Sequence, residues 1–140
     1  MLKTYDFRQV SVIVGGRIMA GFAEGDDSVM VERNEDAWSL KVGADGEATR
    51  SKSNNKSGKV TLKLQQTSES NAILSAFAKA DELSNSGAVP VLIKDNSGLS
   101  LHAAEQAWVI KMPSSGFGAE SGEREWVLES DNMEMFEGGN

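Results

Sequence analysis

The chain has 140 residues, with 21 acidic against 14 basic side chains and a formal net charge of −7. That balance argues against a protein that grips nucleic acid through its backbone phosphates. A surface that lets nucleic acid pass without sticking is compatible with it, since like charges repel. Cysteine is absent, which rules out disulfides and thiolate metal sites and fits folding in a reducing compartment.

The length predicts a single domain, residues 1–140, with a sizeable core. The first apolar stretch, Val10 to Val14, is too short for a signal peptide or a membrane span, so no membrane partner is expected. Val10-Ser11-Val12-Ile13-Val14 alternates as a strand does. Gly15-Gly16 then permits a tight hairpin turn, with Arg17 to Phe22 as the return strand. Ser28 to Arg33 reads as a third strand between the turns at 24–27 and 34–36.

Two further strands, Trp38 to Val42 and Lys59 to Gln65, flank a long polar arm. Gly43 to Gly58 contains nothing apolar larger than alanine. A connection of this length inside a compact domain is usually functional or disordered, so the arm points to a partner. Asn55-Lys56-Ser57 matches a glycosylation acceptor and is read as chance.

One helix is predicted, at about residues 69–84. Thr67 to Ser70 supply capping hydroxyls, and Ile73, Leu74, Phe77, Ala80 and Leu83 form one apolar stripe. Val89 to Lys94 follows, with Pro90 marking an edge or the start of a strand. Asp95-Asn96-Ser97-Gly98 is a turn, and Pro113 to Gly122 is a loop. Leu99 to Leu101, Ala104 to Lys111, Glu123 to Glu129 and Asn132 to Phe136 are extended. The fold class is therefore mainly β, an antiparallel sandwich or barrel with one flanking α-helix and a long projecting hairpin loop at 43–58.

Catalytic and cofactor chemistry find little support. His102 is the one histidine, with no nucleophile or metal-ligand partner in sequence, so it reads as structural or exposed. Asp26-Asp27 and Asp95 to Gly98 miss the calcium-loop pattern and are explained by turn chemistry. Gly116-Phe117-Gly118 lacks dinucleotide spacing. No catalytic residue, metal or cofactor is assigned. Trp38, Trp108 and Trp126 read first as core anchors and second as a stacking platform. In the arm, Arg50, Lys52 and Lys56 stand among Ser and Asn, either as a solvated loop or as a tether to an acidic neighbour.

A series of ordered landmarks spans almost the whole chain. They are Tyr5-Asp6-Phe7 before Val10-Ser11-Val12, Gly43-Ala44-Asp45-Gly46-Glu47, and Gly58 to Leu64 running into Thr67 to Asn71. Ala107-Trp108-Val109-Ile110-Lys111-Met112-Pro113 and Glu123 to Leu128 complete the series. In this order they resemble the tail tube proteins of contractile-tailed bacteriophages. The resemblance implies a fold shared with type VI secretion inner tubes, and a homo-oligomeric ring, hexameric in that family, stacked into a hollow tube. It also implies partners: a tail sheath protein, baseplate and tail terminator proteins, and DNA in transient non-specific passage. The implied location is the virion tail, assembled in the host cytoplasm.

On this reading the chain is a structural subunit and not an enzyme. Val60, Leu62 and Leu64 are expected to face the core with Trp38, Leu40 and Val42. Ser39, Lys41, Thr61 and Lys63 would face the lumen or a neighbour. Residues 46–58 would contact another ring or subunit, with Arg50, Lys52, Asn54, Asn55 and Lys56 as the contact residues. The alternative reading is a monomeric β-sandwich that binds carbohydrate or protein through its tryptophans. A small hydrolase is the weakest reading, for want of a nucleophile and base.

Overall fold

The computed structural model describes residues 1–139. A 3-10 turn at Phe7–Gln9 leads into β1 (Val10–Val14), which returns through β2 (Arg17–Ile18). Gly15 and Gly16 adopt φ of +58° and +79°, the left-handed pair that a two-residue hairpin turn requires. The expected return strand to Phe22 stops at Ile18, and Phe22 makes an isolated bridge to Leu64. The other strands are β3 (Val29–Arg33), β4 (Trp38–Val42), β5 (Ala48–Lys52), β6 (Gly58–Gln65), β7 (Val89–Asp95), β8 (Leu101–Lys111), β9 (Glu123–Ser130) and β10 (Met133–Phe136). Helix α1 spans Ser70–Ser84.

The main sheet has eight antiparallel strands in the order β2-β1-β7-β8-β9-β6-β3, with β10 also paired to β8. Strand β8 carries the architecture. Its first half pairs with β7 on one side and β10 on the other, while residues 107–111 pair with β9. Irregular registers at Val89/Val91 and Val109/Lys111 let the strands bend there. The two halves of the sheet bury their apolar faces in one core. Val12, Val14, Val91 and Ala104 come from one half, and Val60, Leu62, Leu64, Trp126 and Leu128 from the other. The molecule is thus a mainly β, sandwich-like fold with one helix.

The helix lies against β8 and inserts Leu74, which is fully buried. Ile73 and Phe77 are half-buried beside it, but Leu83 of the expected stripe is exposed at the helix end. Glu69 occupies the N-cap position without a side-chain capping bond, so the expected capping hydroxyls do not cap the helix; just before it, Ser68 Oγ accepts from Ser70 N at 3.2 Å. The chain leaves the helix through Asn85 in the left-handed conformation. Pro90 is the second residue of an interior strand, so of its two expected placements the strand start holds and the edge does not. It is tolerated because it sits at the irregular register between Val89 and Val91, where no ladder bond is lost, and its carbonyl accepts from Gly15 N.

Strands β4 and β5 stand apart as a separate two-stranded sheet. All ten of their residues are exposed. Within the segment expected as a loop, residues 48–52 are therefore a strand. The turn between the strands is tight. Gly43 N donates to Glu47 O at 2.7 Å, Gly46 takes φ of +89°, and Asp45 Oδ1 accepts from Glu47 N at 3.1 Å.

The exposed hairpin as candidate interaction site

Alternation gives the β4–β5 hairpin two chemically different faces. Residues directly opposite in an antiparallel pair share a face. The register Trp38↔Lys52, Leu40↔Arg50 and Val42↔Ala48 therefore gathers three large apolar side chains and two cations on one side. Ser39, Lys41, Thr49 and Ser51 occupy the other. The Arg50 guanidinium lies 3.8 Å from the Trp38 ring centroid, and the Lys52 ammonium lies 6.0 Å away. Cation–π attraction thus keeps the bases on the apolar face.

This overturns one expectation. Trp38, Leu40 and Val42 do not join Val60, Leu62 and Leu64 in the core. Leu40 is 70% exposed and Val42 58%, whereas the three β6 residues are fully buried. The physical reason is pairing. Among the described residues strand β4 pairs with β5 alone, and its apolar face meets no second layer. Alternation in sequence reports that one face is apolar, and it does not report what covers that face. The signal that separates the cases lies across the hairpin, where β5 offers alanine, arginine and lysine opposite the apolar row.

The arm residues fall into distinct settings. Asn54 is exposed. Asn55 Oδ1 accepts from Ser57 N at 3.0 Å and from Ser57 Oγ at 2.6 Å, so it shapes the return of the chain. Lys56 forms a parallel bridge with Asn132, and its carbonyl accepts from Met133 N at 2.8 Å. Ser53 Oγ donates to the Glu35 carboxylate, and Asn34 Nδ2 donates to Ser57 Oγ at 2.9 Å. The base of the hairpin is therefore tied to the body, while its tip is free of it.

The four residues expected to face a lumen or neighbour are not brought together. Ser39 and Lys41 lie on the polar face of the hairpin. Thr61 and Lys63 lie half-buried on the outer face of β6. There the charges are mixed. Lys59 stands between Glu32 and Glu129 in register, and Lys63 stands opposite Glu125. Lys63 Nζ also contacts Asp27 Oδ2 at 2.7 Å. That hydrogen bond, reinforced by the opposite charge, lowers the Asp27 carboxyl below its usual range and raises the Lys63 ammonium above its own.

The three tryptophans share no surface. Trp126 is buried, its Nε1 donating to Asn71 Oδ1 at 2.9 Å. Trp108 is half-buried opposite Glu129 on the outer face, and Trp38 is on the hairpin. Trp126 is the core anchor expected of all three. His102 is buried, with Nε2 3.2 Å from Glu137 Oε1 and Nδ1 without a hydrogen-bond partner among the described residues. Among the described residues no group of His, Asp or Glu is arranged to hold a metal ion. The Asp95 turn closes as expected, with Gly98 N donating to Asp95 O at 3.2 Å.

Solved structures of similar fold come from contractile injection systems. It is similar to the sheath/tube terminator of an extracellular contractile injection system, PVC, at a TM-score of 0.66 and 15% identity, covering 97% of this chain and 99% of that one. It is also similar to the tube-terminating cap of the anti-feeding prophage, at a TM-score of 0.64 and 12% identity over 97% and 93% of the two chains. A chain of the PVC sheath–tube complex gives 0.63 and 17% identity over 91% and 87%.

Sequence narrows the class. The chain is 36% identical to "Structural protein ORF10" of Pseudomonas phage KPP10, over 99% of this chain and 84% of that protein. The family described as bacteriophage PhiTE tail tube protein matches residues 2–138, and the chain belongs to that family of phage structural proteins.

Proposed function

We propose that the chain is a non-enzymatic subunit of a phage tail tube, which assembles with copies of itself into rings stacked as a hollow conduit. The observation that carries this reading is the exposed amphipathic hairpin, whose apolar face has no covering layer among the described residues. An exposed apolar row rimmed by charge marks an interaction surface. The edges of the main sheet support the same reading. Strand β3 ends the sheet on one side with Met30 exposed, and the two-residue β2 ends it on the other with Ile18 exposed. Pairing across subunits would remove those edges.

In this reading the ring is hexameric, the sheath lies outside, and baseplate and terminator proteins close the ends. DNA passes through the bore during ejection, and the assembled protein resides in the virion tail after assembly in the host cytoplasm. The net charge of −7 fits a bore that does not retain phosphate. If the outer face of β6 and β9 lines it, the Lys59 and Lys63 pairings make that lining a mixed belt. The hairpin, with Arg50, Lys52, Asn54, Asn55 and Lys56, makes the contact to the neighbouring subunit or ring. Electron microscopy of the purified protein at high concentration tests the reading. Rings or tubes are expected, and monomers persisting under all conditions would contradict it.

A further inference from the structure

Strands β1, β7, β8 and β10 place one unusual row on the outer face of the sheet. In register, Ile13 stands beside Leu92, Leu92 beside Ala103, and Ala103 beside Glu134. On each of β1, β7 and β8 the residues on either side of this row turn inward, including the buried Val12, Val14, Val91, Ile93 and Ala104. Alternation would place polar side chains on the outer face of such strands. Here three successive positions are apolar and the fourth is acidic. With Glu105 and Asp131 the row lines a groove of about 560 Å³. Among the described residues none of these three acids forms an ion pair, and neither Arg50 nor Lys52 does.

From this we infer that the groove formed by Ile13, Leu92, Ala103, Glu105, Asp131 and Glu134 receives the β4–β5 hairpin of a second copy of this chain. The inference rests on the reading of the hairpin as an assembly contact, and it adds where that contact lands. The two surfaces match row by row in kind. The hairpin presents an apolar row beside a basic one, and the groove presents an apolar floor beside an acidic rim. Docking covers both apolar surfaces and pairs charges that the isolated subunit leaves unpaired. The groove also lies next to Asn132, which bridges Lys56 at the base of that copy's own hairpin. Each hairpin would therefore lie beside the base of the next one. Such a head-to-tail contact repeats from copy to copy and closes into a ring when its rotation allows.

A second acidic and apolar recess lies at the mouth of the core, near Glu24, Asp26 and Phe22. Its lining includes the chain's own N-terminal segment, with Phe7 edge-on to Phe22 at 5.3 Å. The outer-face groove has no such cover.

Charge reversal with rescue tests the assignment by sedimentation and electron microscopy. Arg50→Glu with Lys52→Glu is expected to reduce assembly at least about tenfold, and Glu105→Lys with Glu134→Lys to do the same. The four changes together are expected to restore tubes. All four residues are exposed, so thermal unfolding of each monomer serves as the folding control. If the hairpin pair assembles normally, the hairpin reading itself fails. If the hairpin pair blocks assembly while Glu105→Lys with Glu134→Lys is neutral, or blocks without rescue, the groove assignment alone fails. Rescue by Glu24→Lys with Asp26→Lys instead would move the contact to the core mouth and overturn the proposal. The absence of native cysteine permits a second measurement. Arg50→Cys with Glu134→Cys, treated with a bis-maleimide, should give a ladder of covalent multimers in assembled protein. Tubes that yield no ladder would overturn the assignment even where a charge variant fails to fold.

Discussion

Gly15 and Gly16 are adjacent, share left-handed φ, and should respond differently to the same substitution. A Cβ on Gly16 meets nothing within 4 Å, so Gly16→Ala incurs the backbone cost alone, about 1–2 kcal/mol. A Cβ on Gly15 would lie 2.5 Å from the Phe77 ring, which packs on the core, so an overpacking cost of about 1–3 kcal/mol is added. Urea unfolding of the two variants should rank Gly15→Ala clearly below Gly16→Ala, and equal losses would refute the packing of Phe77 on the turn. Asp27 and Lys63 give a pH-dependent case. The folded carboxyl is lowered, so its contribution is present above the usual carboxylate range and is lost as pH falls through the depressed value. The folded ammonium is raised, so its contribution is present below the usual lysine range and is lost as pH rises through the raised value. The stability gap between the wild type and Asp27→Asn should be widest between those limits and should close toward strong acid. A gap that is constant with pH would show that the pair contributes nothing.

At the scale of elements, the hairpin is the part whose stability should depend most on assembly. A two-stranded ribbon without a covering layer is marginal in water. Amide exchange should therefore be fast in β4 and β5 of the free subunit, slow in β6 and β9, and slow in all four once tubes form. Equal protection of β4 and β6 in the monomer would contradict the exposed placement. The same contrast explains what could be read from sequence. Val60, Leu62 and Leu64 were legible as core because β6 lies between β9 and β3, and its inward row meets the other half of the sandwich. Trp38, Leu40 and Val42 carry the same alternation, but their row is exposed, which a single sequence does not reveal. The helix was legible within one residue at its start because the apolar spacing of Ile73, Leu74 and Phe77 is a local signal. Pro90 was legible as the start of a strand, whereas the irregular register that accommodates it inside the sheet depends on β8, distant in sequence. The acidic groove was not legible for a related reason. Ile13, Leu92, Ala103 and Glu134 come from four strands and become neighbours through pairing alone.

For the whole molecule, a buried core and an unfinished surface are separate properties of one chain. The sandwich is closed by Leu74, Trp126 and their neighbours, a core to which no residue of the hairpin contributes among the described residues. On the proposed function, the hairpin's apolar row, the open edge of β3 and the acidic groove are completed by neighbouring copies. Stability of the subunit and competence to form tubes should therefore separate under mutation. Leu62→Ala is expected to destabilise the monomer by about 2–5 kcal/mol, because a fully buried side chain leaves a cavity. Replacing the exposed apolar row should leave monomer stability within about 0.5 kcal/mol, as surface changes usually do. The most direct test is electron microscopy of the triple variant Trp38→Ser, Leu40→Ser, Val42→Ser beside the wild type at matched concentration, with thermal unfolding recorded on both. Folded subunits that no longer form tubes are the predicted result; tubes as abundant and as long as those of the wild type would contradict the assignment of the hairpin as the assembly contact.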